Sequence, residues 1–186
     1  MGADRAVLLS DAAFAGGDVI TTARVLAAAL TKVGFDLVLC GKYGVGDDNA
    51  SVPAMIAELL DLPSVSVVNK LELGQGTARC HRVIEGGVEV VETRLPCVIS
   101  AQKGLNEPRY ASLKGIMAAK KKEIASWGAS DLGLSAAEVG AGGRTTEWTR
   151  VELPPARGEC KIIGGDSVEA KVKELVRLLR EEAKVI

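Results

Sequence analysis

The sequence is poor in aromatic residues, which make up 3% of its 186 residues, whereas apolar residues make up 47%. A chain of this length can bury one sizeable hydrophobic core, which here must consist mainly of Val, Leu, Ile and Ala. The formal net charge is −1, so the chain as a whole is not attracted to nucleic acid or to an anionic membrane. No apolar run reaches the roughly 18 residues that a membrane span needs. We therefore expect neither nucleic-acid binding nor membrane insertion.

The usual signatures of catalytic and metal-binding residues are also missing. His81 is the only histidine and no GxSxG motif is present, so a catalytic triad or a histidine metal site has little support. Cys40, Cys80, Cys97 and Cys160 show no CxxC spacing, which argues against a zinc site or a redox dithiol and favours buried free thiols. The sequence therefore predicts a binding or scaffolding subunit without a catalytic residue set or a metal.

The N-terminus lacks the basic start and the long apolar run of a secretory signal. We therefore expect a cytoplasmic protein in a bacterium, or a mitochondrial matrix protein in a eukaryote.

Strand and helix patterns alternate over the first 61 residues. Arg5–Leu9 and Asp36–Cys40 read as buried strands, and they flank a helix that Asp18 can cap and Gly34 can end. This order predicts a parallel strand–helix–strand unit with a right-handed crossover. A second helix is predicted from Pro53 to about Asp61.

A change of pattern after Pro63 predicts two β-hairpins, because three strand-like runs are separated by glycine-containing turns. We expect strands at 64–73, 77–84, 88–95 and 97–102, a helix at 112–122, a flexible break at 140–143 and an amphipathic helix within 166–185. The predicted fold class is α/β: a Rossmann-like parallel sheet sandwiched by helices, with an added β-hairpin region and a C-terminal amphipathic helix. Residues 1–186 are expected to form a single nucleotide-binding-type domain, with a C-terminal arm from about 144 to 186.

The loop from Gly41 to Val52 is the candidate small-molecule site, because it follows a predicted parallel strand and opens a helix. Its glycines allow a ligand to approach the backbone closely, and the N–H groups of Asn49–Val52 could point at a phosphate. Asp47 and Asp48 are unsuited to phosphate and could instead bind ribose hydroxyls or cap the helix. No named fingerprint matches, so nucleotide binding and a plain strand–helix turn both stay open. The candidate cofactor-binding residues are Gly41, Lys42, Tyr43, Gly44, Val45, Gly46, Asp47, Asp48, Asn49, Ala50, Ser51 and Val52.

The segment KGLNEPRYASLKGIMAAKKK, residues 103–122, is the candidate partner surface. Pro108 holds Glu107 extended, so the segment cannot simply be a continuous helix. Lysines at a helix end also favour the helix dipole without any partner, and nucleic-acid binding would need more charge and more aromatics. An exposed leucine on a rigid loop can enter a partner's pocket. The candidate docking residues are Leu105, Asn106, Glu107, Pro108, Arg109, Tyr110, Leu113, Lys120, Lys121 and Lys122.

The run GLNEPRYASLKGIMAAKKK resembles the signature of the electron-transfer flavoprotein β-subunit family. MGADRAVLLSDAAFAGGD, FDLVLCGKYGVGDDNASVPAMIAELLDLP and PPARGECKIIGG occur in the order found in that family. The resemblance spans nearly the whole chain.

The resemblance implies a heterodimer with an α-subunit that provides most of the contacts to a redox-active FAD, while the β-subunit holds an AMP with a structural role. It implies that electrons come from acyl-CoA dehydrogenases and other dehydrogenases and pass to a quinone oxidoreductase. Carried over by position, Gly41–Val52 is the AMP loop, Leu113 is the docking anchor and Lys120–Lys122 lie beside it.

Two departures from the family pattern matter. Ala50-Ser51-Val52-Pro53 stands where the family often has Asn-Gln-Thr-Gly or Ala-Gln-Val-Gly. In the electron-bifurcating branch a second FAD occupies this site; Asp48, Ala50 and Val52 match that branch and Ser51 and Pro53 do not, so AMP and FAD both stay open. Family members also have a strand–helix segment before MGADRA, which implies that this chain is a fragment of a longer β-subunit. An adenine-nucleotide-binding regulatory protein of universal-stress type is the alternative.

Overall fold

Strands and helices alternate at the start of the chain in the computed structural model, which describes all residues from Met1 to Ile186. Strand β1 spans Ala6–Leu9, helix α1 Val19–Val33, strand β2 Leu37–Gly41 and helix α2 Val52–Leu59. As predicted, Asp18 caps α1: its carboxylate accepts the Thr21 N–H at 3.1 Å, and the Thr21 hydroxyl accepts the Asp18 N–H at 2.9 Å. Such a reciprocal pair satisfies two backbone donors at the helix start.

The remaining elements follow the predicted order with two additions, strand β7 and helix α4. Strands β3, β4, β5 and β6 span Ser64–Leu73, Thr77–Ile84, Gly87–Arg94 and Cys97–Ala101; helix α3 is Leu113–Ala119, strand β7 Ile124–Trp127, helix α4 Gly140–Gly143 and helix α5 Val168–Glu181. Single-turn 3₁₀ helices lie at Ala12–Phe14 and Ser130–Leu132. Strand β7 was not predicted, because Ile124–Trp127 is only four residues long and lies one residue after Lys120–Lys122, at the end of the predicted helix.

The strands form a five-stranded sheet in the order β2-β6-β3-β4-β5 and a separate pair, β1-β7. Strands β2, β6 and β3 are parallel neighbours, whereas β3, β4 and β5 form the two predicted antiparallel hairpins. The predicted parallel unit of β1, α1 and β2 is wrong, because β1 and β2 belong to different sheets: β1 pairs with β7 and β2 pairs with β6. Apolar runs identify strands, but they do not specify which strands pair. The predicted fold class is confirmed: a Rossmann-like α/β arrangement with a hairpin region and a C-terminal helix.

Strand β6 is buried on both faces, as expected for a central parallel strand. Cys97 and Ile99 pack into a cluster with residues of β3 and β4, while Val98 on the opposite face packs with α1, α2 and β2. Of the four free thiols, Cys80 and Cys97 are buried, Cys40 is half-buried and Cys160 is exposed. The expectation of buried thiols is therefore wrong for Cys160.

The predicted flexible break at Gly140–Gly143 is wrong, because these residues form the short helix α4 in tight contact with the rest of the fold. A Cβ placed on Gly140 would lie 2.0 Å from the carbonyl oxygen of Ala13, and one on Gly142 would lie 2.2 Å from that of Ala136. These glycines permit close backbone packing rather than flexibility.

The chain divides into two compact units, Met1–Glu147 and Trp148–Ile186. In the second unit, residues 148–165 form no helix or strand, and α5 begins after the capping residue Ser167. Within it, the Arg177 guanidinium lies 2.8 Å from the carboxylates of both Glu174 and Glu181. The predicted amphipathic helix is confirmed. None of the helices in the chain is long and apolar enough to cross a membrane.

Replacement of Gly140 by Ala tests the packing role of α4. Gly140 and Gly133 both have a positive φ, 51° and 69°, but a Cβ at Gly133 meets no atom within 4 Å. The left-handed backbone conformation alone costs about 1 kcal/mol for a non-glycine residue. We expect Gly133→Ala to lower the free energy of unfolding by about that amount, and Gly140→Ala to lower it by more than about 3 kcal/mol because the backbone must also move. Urea denaturation measures both; equal losses would contradict the close packing.

Candidate functional site

Both candidate segments leave the same edge of the five-stranded sheet. Strands β2 and β6 are parallel and in register from Leu37↔Cys97 to Gly41↔Ala101. Neighbouring strands lie about 4.8 Å apart, so the loop after Gly41 and the segment after Ala101 start side by side. The carboxyl edge of a parallel sheet is where α/β folds bind ligands.

Internal hydrogen bonds shape the loop after β2. The Asp48 N–H donates to the Gly44 carbonyl at 3.1 Å, and the Asn49 amide donates to the Asp47 carboxylate at 2.7 Å. Asp48 and Ala50 have φ values of 49° and 52°, in the left-handed region that non-glycine residues rarely adopt and that often marks functional loops. The ammonium of Lys42 lies 4.8 Å from the centre of the Tyr43 ring.

The N-terminus of α2 has backbone donors without partners. No side chain caps this helix, so the suggestion that Asp47 or Asp48 caps it is wrong. The N–H groups of Asn49, Ala50 and Val52 donate no hydrogen bond within the chain. Unpaired N–H groups at a helix start, together with the helix dipole, favour an anionic group such as phosphate.

A cavity of about 330 Å³ lies beside this loop. It is lined by Leu26, Cys40, Gly41, Lys42, Tyr43, Gly44, Asp47, Asn49, Ala50, Ser51, Val52, Pro53 and Ile56. Of the predicted cofactor-binding residues, only Val45, Gly46 and Asp48 do not line it, and the side chain of Val45 is fully exposed.

Sequence reasoning missed four lining residues: Leu26, Cys40, Pro53 and Ile56. Leu26 and Ile56 belong to helical apolar stripes, which predict burial but do not distinguish a cavity wall from a core. Burial raises the pKa of the Cys40 thiol, so this group lines the cavity as a neutral thiol and does not repel an anion.

A second cavity, of about 200 Å³, lies between the end of β1 and the start of α1. Its walls are mainly apolar and include Leu9, Phe14, Val25 and Leu26. The hydroxyl of Thr21, which also lines it, is already bonded to Asp18. With no charged side chain and no free backbone donors comparable to those of α2, it fits a phosphate ligand less well.

The segment after β6 is exposed over most of its length. Leu105 is half-buried and packs against the core cluster of β3, β4 and β6, which fixes the start of the segment. The residues from Asn106 to Lys114 are exposed; Tyr110 is 99% and Leu113 79% accessible to solvent. Ser112 caps α3 by accepting the Gly115 N–H at 3.0 Å, and α3 has no buried residue. The structure thus places an exposed leucine at the start of an exposed helix.

Basic side chains surround this leucine in the sequence and on α3. Lys103, Arg109, Lys114, Lys120 and Lys121 are exposed. Lys122 differs, because its ammonium donates to the carbonyl of Ala3 and lies 3.9 Å from the carboxylate of Asp4. The segment therefore combines apolar side chains with a predominantly positive surround.

His81 lies half-buried on β4, opposite Lys70 of β3. No group of three or more His, Cys, Asp or Glu side chains is arranged to hold a metal ion. The candidate site therefore consists of backbone donors, a cavity and the exposed segment after β6.

Comparison with known proteins gives consistent results. Residues 1–132 match the Electron transfer flavoprotein domain family. The chain is 41% identical over 183 residues to the "Caffeyl-CoA reductase-Etf complex subunit CarD" of Acetobacterium woodii, covering 98% of this chain and 70% of that protein. It is 40% identical over 187 residues to "Electron transfer flavoprotein subunit beta" of Bacillus subtilis, covering 100% of this chain and 71% of that protein.

A third relative, "Electron transfer flavoprotein subunit beta" of Thermoanaerobacterium thermosaccharolyticum, is 40% identical over 180 residues, or 96% of this chain and 69% of that protein. The similarity extends over both candidate segments and into the second unit. The chain therefore belongs to the electron transfer flavoprotein family.

Proposed function

We propose that this chain acts as the β-subunit of an electron transfer flavoprotein, pairing with an α-subunit that holds most of a redox-active FAD. The observation that carries the proposal is the joint placement of the nucleotide loop and the docking segment at one sheet edge, in a chain of this family. FAD supplies the electron-accepting and electron-donating chemistry of the heterodimer. The residues of this chain bind the nucleotide and contact the α-subunit and the electron donor, and none of them is assigned a catalytic role. The family assignment sets aside the universal-stress-type alternative.

Exposed apolar residues in the second unit support a permanent partner. Trp148 is 84%, Leu153 93% and Ile162 91% accessible, and α5 also exposes Val168 and Val172. Exposed apolar groups at this density are typical of surfaces that a partner covers. We assign this surface to the α-subunit.

The cavity beside Gly41–Val52 fits an adenine mononucleotide. The unpaired N–H groups of Asn49, Ala50 and Val52 suit its phosphate, and the apolar walls Leu26, Cys40 and Ile56 suit a planar base. Asp47 then suits ribose hydroxyls rather than phosphate, since carboxylates accept hydrogen bonds from hydroxyls and repel anions. The cavity volume of about 330 Å³ is at the small end of the range for ligand pockets. This volume favours AMP over the larger FAD that the electron-bifurcating branch holds at this site.

The docking segment is proposed to contact electron-donating dehydrogenases of the acyl-CoA dehydrogenase type. Leu113 enters an apolar pocket on the donor, while Lys120 and Lys121 steer an acidic surface toward it. A quinone oxidoreductase is the proposed acceptor. The name of the Acetobacterium woodii relative places that protein in a caffeyl-CoA reductase complex, which also suggests a CoA-ester oxidoreductase as a direct partner here.

Replacement of Leu113 by Ala tests the docking role. In the assembled heterodimer, loss of a buried leucine contact of about 2 kcal/mol should lower kcat/KM for flavin reduction by an acyl-CoA dehydrogenase by about 30-fold. Flavin content should not change, because the side chain is 79% exposed and contacts no core cluster. Stopped-flow absorbance of the flavin measures the rate.

Val88→Ala on β5, where the valine is 54% exposed, is the matched control and should reduce at the wild-type rate. If both variants slow equally, or if Leu113→Ala loses flavin, Leu113 is not the anchor.

Replacement of Gly41 by Val tests the nucleotide cavity. A Cβ at Gly41 meets no protein atom within 4 Å and φ there is not positive, so valine fits the strand end but occupies cavity space. We expect bound nucleotide to fall by at least about tenfold, for a loss of about 1.4 kcal/mol or more, with little change in unfolding. Chromatography of nucleotides extracted from the purified heterodimer measures occupancy.

Gly87→Val is the control, because Gly87 also lies at a strand end with no neighbour within 4 Å and no positive φ. Full nucleotide occupancy in Gly41→Val would place the ligand elsewhere.

A further inference from the structure

One carboxylate, that of Asp18, bonds at the same time to the start of α1 and to the last residues of the first unit. Its Oδ1 accepts the N–H of Thr21 at 3.1 Å. Its Oδ2 accepts the N–H groups of Thr145 at 2.7 Å and Thr146 at 3.0 Å, and their hydroxyls at 3.1 and 3.2 Å. The cap of α1 uses one oxygen, and the other holds a segment more than a hundred residues away in sequence.

This contact lies immediately before the boundary between the two units, Glu147 and Trp148. Thr145 and Thr146 donate hydrogen bonds only to the Asp18 carboxylate, whereas the residues before them are held by hydrogen bonds to other parts of the first unit. The Arg24 guanidinium donates to the carbonyls of Glu138 and Gly143, and the Ala141 N–H donates to the Ala15 carbonyl at 2.9 Å. Asp18 therefore holds the last residues of the first unit together with Arg144, whose guanidinium donates to the Gly16 carbonyl at 3.4 Å and to the Glu147 carboxylate.

The charge state of Asp18 suits this role. Partial burial raises the pKa of its carboxyl, but hydrogen bonds from the N–H groups of Thr145, Thr21 and Thr146 outweigh burial and hold the pKa below its ordinary value. The group is thus ionised at neutral pH, and bonds between N–H or O–H donors and a carboxylate are stronger than those between neutral groups.

We propose that Asp18 is a positioning residue for partner binding: it fixes the backbone of Thr145 and Thr146, so that the last residues of the first unit are already ordered when the α-subunit binds. This inference rests on the proposed function. Without the contact, the backbone of residues 145–147 would have to be ordered during association, at the expense of affinity. Because the contact lies within the first unit, its effect on the partner is indirect.

The two oxygens allow the capping and positioning roles to be separated. Serine is as good a helix cap as aspartate, and the bonds that Thr21 makes with the Asp18 backbone do not involve the carboxylate. Asp18→Ser therefore keeps the cap but loses Oδ2, whereas Asp18→Ala loses both. Asp36→Ser removes the same charge from an exposed position whose side chain bonds to nothing, and is the control for charge alone.

The experiment combines amide hydrogen exchange of the chain with titration against the α-subunit encoded by the same genome. In Asp18→Ser we expect the Thr145 and Thr146 amides to exchange faster, the Thr21 amide to stay protected, and the dissociation constant for the α-subunit to rise about tenfold. Asp36→Ser should match the wild type in every measurement. A rise in the dissociation constant while the Thr21 amide stays protected is what the loss of a helix cap alone would not produce.

Each other outcome overturns the inference. If Asp18→Ser binds the α-subunit as tightly as the wild type, or if Thr145 and Thr146 exchange at wild-type rates, Asp18 is only a helix cap. If the wild-type chain forms no complex with the α-subunit, the proposed function itself fails. If the wild-type chain binds the α-subunit and Asp18→Ser binds it equally well, the positioning role fails but the proposed function stands.

Discussion

The burial of strand β6 on both faces is the constraint on which the rest of the structure depends. Cys97 and Ile99 pack into one core cluster and Val98 into another, so β6 must lie inside the sheet, between β2 and β3. That position brings Gly41 and Ala101 together as the last paired residues of parallel strands. The loop after β2 and the segment after β6 then start as neighbours, since no intervening strand separates them.

Much of this arrangement could be predicted from local patterns. Asp18 and Gly34 bound α1 as predicted, and the glycine turns locate the hairpins of β3, β4 and β5. The partner of β1 could not be predicted, because strand pairing depends on long-range packing that a run such as Ala6–Leu9 does not encode. That the loop after β2 lines a cavity could be predicted from its glycines, whereas the cavity walls Leu26 and Ile56 could not, because cavity walls and core positions have the same apolar pattern.

The acidic residues near the start of the chain have a structural role that composition does not reveal. Asp11 accepts the N–H groups of Ala13 at 2.9 Å and Ala129 at 2.8 Å, and these bonds hold its pKa below the ordinary value. The Asp18 carboxylate likewise accepts the N–H groups of Thr21, Thr145 and Thr146. Both side chains therefore tie distant segments to the residues between β1 and α1. The glycines of α4 pack directly against neighbouring backbone. The glycine run, whose composition suggests flexibility, is therefore closely packed.

The proposed function is tested most directly by the composition of the complex that forms when this chain is co-expressed with the α-subunit from the same genome. Mass measurement, the visible absorbance spectrum and extraction of bound nucleotides give the number of chains, flavins and adenine nucleotides together. We expect a one-to-one heterodimer with one flavin and one AMP. A chain that stays separate from the α-subunit, or a heterodimer without a nucleotide beside Gly41–Val52, would contradict it.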